Sequence, residues 1–251
     1  MVSDKIGRFV WHDLFTRNAA QSKSFYERIA GWSYVTEHAM EFAWGGGQGD
    51  YILAHSEGEA GAGFVELNDS EHFGWMPYFE VHDVDATAER ALELDGTVTK
   101  APFEVNGVGR NCLLSDPNGA YIGITRSSHQ YPAPAMQFGA EFYLALEDEF
   151  PTEFYSDLFG WRAAPLDHTC KGPWPILSAG IEIGFVLAGA LQGGTIPSWV
   201  PGIRVPNQTE ALRQVPKMKG SVVNPKDEQL EDRRQPMVVD SNGTLFVLMT
   251  R

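Results

Sequence analysis

Apolar and polar positions along this chain switch between a period of two and a helical period, and they do so four times over. Residues 9–15, FVWHDLF, form an aromatic-rich run that reads as a strand. Asn18 can cap the helix that follows, with Gln21 three residues on, and Ala19, Ser22, Phe25, Tyr26 and Ile29 recur at helical spacing. Gly31 ends that helix and Trp32 opens the next strand. Strands are predicted over 32–37, over 41–44 and 51–54 across a glycine-rich turn, and over 63–67, which completes one β-α-β-β-β module. A second module has a strand over 77–81, a helix capped by Asp85 and ended at Asp95-Gly96, and strands over 97–100, 110–115 and 120–125. The last two are joined by Asp116-Pro117-Asn118-Gly119, a strong turn signal. A third module starts near Glu141, with a helix over 151–158 whose first turn suits Pro151. A fourth starts near Trp199, with a helix over 209–215. The charged run 227–234 reads as a solvated loop.

The modules come in two similar pairs. Phe25-Tyr26 and Gly31-Trp32 return as Phe154-Tyr155 and Gly160-Trp161, 129 positions later. Trp75-Met76-Pro77 returns as Trp199-Val200-Pro201, and Asp116-Pro117-Asn118-Gly119 as Asp240-Ser241-Asn242-Gly243, each 124 positions later. A period this long is a duplicated domain rather than a solenoid repeat. The expected division is a first domain over 1–127, a linker of proline, serine and alanine over 128–137, and a second domain over 138–251. Each half is long enough to bury its own core.

Composition narrows the function classes. The formal net charge of −14 repels phosphate backbones and argues against nucleic acid as a partner. No apolar run is long enough to span a membrane, and the N-terminal residues lack the apolar stretch of a signal peptide. Two cysteines, Cys112 and Cys170, form no CxxC pair and fit a reduced, cytoplasmic setting. Aromatic residues reach 12%, with seven Trp, enough to fill cores and also to line a pocket for a flat ligand.

The recurring Phe-Tyr helix ends, Gly-Trp strand starts and Asp-Pro-Asn-Gly turn resemble the vicinal oxygen chelate superfamily, which includes glyoxalase I, bleomycin resistance proteins and extradiol dioxygenases. The resemblance covers nearly the whole chain and is nearest to the bacterial two-domain branch. It implies an α+β fold of four βαβββ modules, paired into two cup-shaped β-sheet barrels with helices outside. In metal-dependent relatives His, Gln or Glu ligands come from first and last strands of the modules. The matching positions here are Trp11, Met76, Gly123, Val200 and Val247, and none of these side chains suits a hard divalent ion. The expectation is therefore a protein without a metal cofactor. The alternative is one divalent ion held by His12, Glu66 and Glu80 or His82, if the strand register is shifted by one residue.

Candidate chemistry lies in the first domain. Asp13 shares a strand face with Trp11 and Phe15, since side chains repeat every two residues. Asp13 and Glu66 are candidate acid–base groups, or structural carboxylates satisfied by hydrogen bonds. Trp11, Asp13, Phe15, Trp44, Tyr51, Phe64, Glu66 and Tyr121 are the expected lining of the first cup. Two functions remain open. One is a metal-free binder of a small aromatic or amphipathic molecule, of the bleomycin-resistance type. The other is a lyase, isomerase or dioxygenase-like enzyme of the same superfamily. Fusion of two cups in one chain fits a monomer as well as a homodimer. The seven histidines show no HxH or HxxxH spacing; His38, His55, His72 and His129 are expected in exposed loops, and His168 with Cys170 lacks a third partner. Residues 45–49, GGGQG, lack the Lys-Ser or Lys-Thr of a phosphate loop and read as a turn. Trp174, between two prolines, is expected in a rigid loop.

Overall fold

The computed structural model describes residues 5–40, 42–44, 47–69, 74–129, 132–146, 149–163, 173–188, 197–223 and 235–251. His72, His168, Cys170, Gly45, Gly46 and the charged run 227–234 lie outside the described residues. Four β-α-β-β-β modules follow one another. The first is β1 (Phe9–Thr16), α1 (Ala19–Ala30), β2 (Ser33–Ala39), β3 (Gly49–Ser56) and β4 (Glu59–Glu66). The second is β5 (Gly74–Glu80), α2 (Val84–Glu93), β6 (Thr97–Val105), β7 (Gly109–Ser115) and β8 (Tyr121–Ser127). The third is β9 (Phe138–Ala145), α3 (Thr152–Phe159), β10 (Trp161–Ala163), β11 (Trp174–Ser178) and β12 (Ile181–Ala188). The fourth is β13 (Ser198–Val205), α4 (Gln208–Gln214), β14 (Ser221–Val223), β15 (Met237–Val239) and β16 (Leu245–Thr250).

The strands form two eight-stranded mixed sheets, ordered β2-β3-β4-β1-β5-β8-β7-β6 and β10-β11-β12-β9-β13-β16-β15-β14. The α+β class and the module plan are those the resemblance implies. The barrels are not closed: each strand order ends on edge strands, β2 and β6 in one sheet and β10 and β14 in the other. Within each module the first strand runs parallel to the last, as in His12 opposite Ala62 and Gly184 opposite Glu141.

Local signals set the helix ends. Asn18 Oδ1 accepts from Gln21 N at 2.9 Å, and Gly31 closes α1 in the left-handed region at φ 72°. Asp83, rather than the expected Asp85, caps α2 through Ala86 N at 3.0 Å. Asp85 instead directs its carboxylate at the Arg110 guanidinium. The expected strand over 41–44 is absent among the described residues. Residues 43–44 are a turn, and Phe42 N donates to Gly47 O at 2.7 Å. Trp174 opens β11 instead of lying in a loop, and His38 and His55 sit on β2 and β3.

The chain divides into two compact units that cut across the sequence halves. One gathers residues 1–10, 77–133 and 140–199, and the other residues 11–76, 134–139 and 200–251. In the second of these, Tyr26 of α1 is fully buried among Trp32, Phe64, Trp75 and Phe246. Its hydroxyl accepts from Trp75 Nε1 at 3.0 Å and donates to Asp240 Oδ2 at 3.1 Å. Asp240 Oδ1 meanwhile accepts from Asn242 N and Thr244 N and so shapes its own turn. The other unit repeats the device. Tyr155 of α3 accepts from Trp199 Nε1 at 2.8 Å and donates to Asp116 Oδ2 at 2.9 Å. Asp116 Oδ2 has a second donor, Tyr143, at 2.8 Å, and its Oδ1 holds Asn118 N and Ala120 N. Burial raises both carboxyls above the ordinary aspartate range, and the surrounding donors oppose that rise.

Loss of either tyrosine hydroxyl removes an acceptor from a buried indole N–H and a donor from a buried carboxylate. Tyr26→Phe and Tyr155→Phe are each expected to cost about 1–3 kcal/mol in urea unfolding. Tyr26→Phe is expected to cost more, because Asp116 keeps Tyr143 while Asp240 Oδ2 loses Tyr26. Equal, negligible losses would show that these contacts are dispensable.

Burial, the largest cause, and neighbouring aspartates raise Tyr26 and Tyr155 well above the ordinary phenol value. A raised folded-state pKa gives stability that is complete below the unfolded value of about 10 and is lost as pH climbs through the folded one. Tyrosinate absorbance from these residues is therefore expected to appear above pH ~10 together with loss of the near-ultraviolet circular dichroism, in one transition. Titration of all tyrosines below that point in a folded protein would contradict it.

Candidate functional site

The site is built on β1, β3 and β4. Asp13 on β1 lies opposite Gly63 on β4, and Gly63 lies opposite Leu53 on β3. Paired residues share a face and side chains alternate along a strand, so Trp11, Asp13, Phe15, Gly63, Leu53 and Tyr51 all belong to one face. Tyr51 must cross β4 to reach β1. Gly63 permits this: a Cβ there would lie 1.8 Å from the Tyr51 hydroxyl and 2.1 Å from Cζ. A glycine inside a strand marks such a close approach.

The three polar groups close into a triangle. Tyr51 Oη donates to Asp13 Oδ1 at 2.5 Å. Trp11 Nε1 is shared between Asp13 Oδ1 at 3.1 Å and Tyr51 Oη at 2.9 Å. Asp13 is only 2% exposed, and a carboxylate at that depth needs such donors to remain charged. Burial, followed by the Asp13 charge, raises the Tyr51 phenol well above its ordinary value, so Tyr51 keeps its proton as a donor. Beside the triangle, the edge of Trp44 meets Phe15 at 5.0 Å and 89°. The arrangement can orient a flat ring through its aromatic walls and recognise a polar substituent through a fixed carboxylate and phenol.

Other expected lining residues lie elsewhere. Phe64 is one position from Gly63 and points to the opposite face, where it packs on Tyr26 and Tyr34. Glu66 shares that parity, and its Oε2 accepts from Ala19 N, the first residue of α1, at 2.7 Å. Its carboxylate anchors a helix N-terminus, which favours negative charge. Tyr121, on β8, belongs to the other compact unit, where it lies opposite Ser115. Sequence patterning does not single out Gly63, one of two glycines with Gly61 in the same strand.

The residues do not fit the divalent ion that the superfamily resemblance implies. Trp11 offers only an N–H donor, already directed at Asp13 and Tyr51. Met76 has a soft thioether, and Val200 and Val247 are buried hydrocarbon. At Gly123 the Tyr78 ring fills the space of a side chain, 2.4 Å from an ideal Cβ. The shifted set is engaged in separate places. His12 stacks on Phe138 at 3.7 Å, Glu66 holds α1, and Glu80 accepts from Ser127 N at 3.0 Å and Ser127 Oγ at 2.5 Å. Among the described residues, no group of three or more His, Cys, Asp or Glu side chains is placed to hold a metal ion. Among them, too, no helix is long and apolar enough to cross a membrane.

Comparison with known proteins agrees with this architecture. The family model of the Glyoxalase/Bleomycin resistance protein/Dioxygenase superfamily matches residues 5–124. A Mycobacterium tuberculosis protein named "Putative glyoxylase CFP32" is 32% identical over 127 residues, which is 51% of this chain and 47% of that relative, so the match spans about half of each. The "Anthracycline biosynthesis protein DauV" of Streptomyces sp. is 26% identical over 267 residues, covering 96% of this chain and 92% of the relative. Among solved structures, an extradiol ring-cleaving dioxygenase from B. fuscum superposes with a TM-score of 0.62 at 13% identity, covering 100% of this chain and 74% of that one. The Mn(II)-bound glyoxalase from Novosphingobium aromaticivorans does so with a TM-score of 0.60 at 8% identity, covering 98% and 82%. Residues 5–124 are thus similar to the Glyoxalase/Bleomycin resistance protein/Dioxygenase superfamily, and the second half of the chain repeats the same module plan and sheet order.

Proposed function

We propose that this protein binds a small, flat, aromatic or amphipathic molecule, without a metal ion, on the face that carries Trp11, Asp13, Phe15, Trp44 and Tyr51. The observation that carries this reading is the Trp11–Tyr51–Asp13 triangle, a polar anchor set beside aromatic walls. Such a combination orients a planar ligand and fixes one polar substituent. The relative named for anthracycline biosynthesis supports a polycyclic aromatic ligand with hydroxyl groups. The donor chemistry at Trp11, Met76 and Gly123 supports binding without a metal. Phe64 and Glu66 serve the fold in this reading. The net charge of −14 fits a ligand that is neutral or cationic rather than a polyanion.

A second reading makes the same site catalytic, with Asp13 moving a proton during isomerisation or a related reaction of the bound ligand. The short Tyr51–Asp13 bond favours it, since a phenol that hydrogen-bonds a carboxylate can tune its basicity. Asp13→Asn then abolishes turnover while the fold survives.

Titration of tryptophan fluorescence with a panel of hydroxylated anthraquinones tests the binding reading. Saturable quenching is expected, unchanged by a chelator. Asp13→Asn and Tyr51→Phe are each expected to weaken affinity about tenfold or more, the value of a lost hydrogen bond to a charged group. Glu66→Ala, which removes the acceptor for Ala19 N, is expected to lower stability by about 0.5–2 kcal/mol, as a lost helix cap does, with affinity unchanged. Absence of saturable quenching across the panel refutes ligand binding of this class, and loss of binding on chelation refutes its metal independence.

A further inference from the structure

We infer that each chain has one binding face of this kind and that Gly63 is the residue that sets it, by positioning Tyr51; this rests on the proposed binding function. The two copies of the module can be compared strand by strand. The 129-residue offset that relates Tyr26 to Tyr155 takes Trp11 to Ala140, Asp13 to Phe142 and Phe15 to Leu144. Sheet register supplies the rest. Asp13 lies opposite Gly63, and Phe142 lies opposite Phe185. Leu53 lies opposite Gly63, and Pro175 lies opposite Phe185, so Pro173 takes the place of Tyr51.

Every polar member of the triangle thus has an apolar counterpart in the second copy. The central pair, Asp13 and Gly63, becomes two phenylalanines. Phe142 and Phe185 stack at 5.7 Å and 26°, and they are 0% and 3% exposed. They fill with ring carbon the space that the first copy gives to the Tyr51 phenol and the Asp13 carboxylate. An apolar plug of this kind offers a hydroxylated ligand no hydrogen bond, and a polar substituent buried there would lose its hydration.

Gly63 separates the two outcomes in the first copy. With its Cβ absent, the Tyr51 ring lies flat across β4 and its hydroxyl meets Asp13. Any side chain at 63 collides with the far end of that ring. Tyr51 must then leave, and Asp13 and Trp11 lose their shared partner. Gly63 touches no ligand in this account; it acts through Tyr51. The chemical class selected is an aromatic ligand bearing a hydroxyl or another hydrogen-bonding group.

Two probes test this with the full-length protein: a hydroxylated anthraquinone and the parent anthraquinone without hydroxyls. Isothermal titration of the wild type is expected to give one hydroxyanthraquinone per chain; two equivalent sites would overturn the inference. Gly63→Ala is expected to weaken the hydroxylated probe about tenfold or more while changing the parent compound little, which removes the preference between them. Adding Tyr51→Leu to Gly63→Ala removes the clashing ring and is expected to raise the melting temperature above that of Gly63→Ala without returning the preference, a split that a purely structural glycine would not produce. Should Gly63→Ala fail to fold, Tyr51→Phe removes the same hydroxyl without adding a Cβ and is expected to erase the preference equally. A preserved preference in either variant overturns the role of Gly63 and Tyr51. Failure of the wild type to bind either probe would instead sink the functional reading on which the inference rests.

Discussion

The bond from a helix tyrosine to the aspartate of a turn is the constraint on which the rest of this fold depends. Tyr26 comes from the first module and its acceptor Asp240 from the fourth. Tyr155 comes from the third and its acceptor Asp116 from the second. Each sequence half therefore completes its network with a turn of the other half, inside one compact unit. A buried carboxylate satisfied by backbone N–H groups on one oxygen and phenols on the other is costly to leave half-paired. The arrangement ties turn geometry, helix position and indole orientation to a single point, which accounts for the return of the Phe-Tyr, Trp and Asp-x-Asn-Gly motifs together.

With the helix-facing side committed to that network, the opposite face of β1, β3 and β4 is left to vary between copies. Strand alternation divides the labour residue by residue. Leu14, Phe64 and Glu66 serve the helix side, while Trp11, Asp13 and Tyr51 serve the other. A duplicated fold can preserve one face and change the other in this way, because substitutions on one side of a sheet leave the parity of its neighbours untouched. The first copy carries a polar triangle where the second carries stacked phenylalanines.

Much of this is legible in the sequence, and the failures have physical causes. The modules, the duplication and the caps at Asn18 and Gly31 follow from periodicity and from turn chemistry that acts within a few residues. The pairing of Trp11 with Asp13 on one face follows from strand alternation. Asp83 and Asp85 both suit a helix cap, but α2 starts at Val84, which leaves Asp85 inside the first turn with its carboxylate on Arg110. Residues 41–44 have strand-forming composition, yet the turn contact of Phe42 with Gly47 outweighs that propensity. The faces of Phe64 and Glu66 are not legible, because they depend on the register of β4 against β1, a partner more than forty residues away in sequence. The crossing of Tyr51 over Gly63 is hidden for the same reason.

The chemistry at Trp11 bears on what this face of the sheet can recognise. An indole N–H stands where the resemblance implies a metal ligand, and a donor in place of an acceptor reverses what that position can recognise. An acceptor there gathers positive charge. The Trp11 donor instead stabilises a carboxylate two residues along the same strand, and Tyr51 reaches across a glycine to do likewise. Both of these donors to Asp13 Oδ1 are supplied by the protein itself. On the proposed reading, the remaining recognition comes from the shape of the aromatic walls and from one oriented polar pair, so selectivity between ligands follows hydroxyl placement rather than chelating ability.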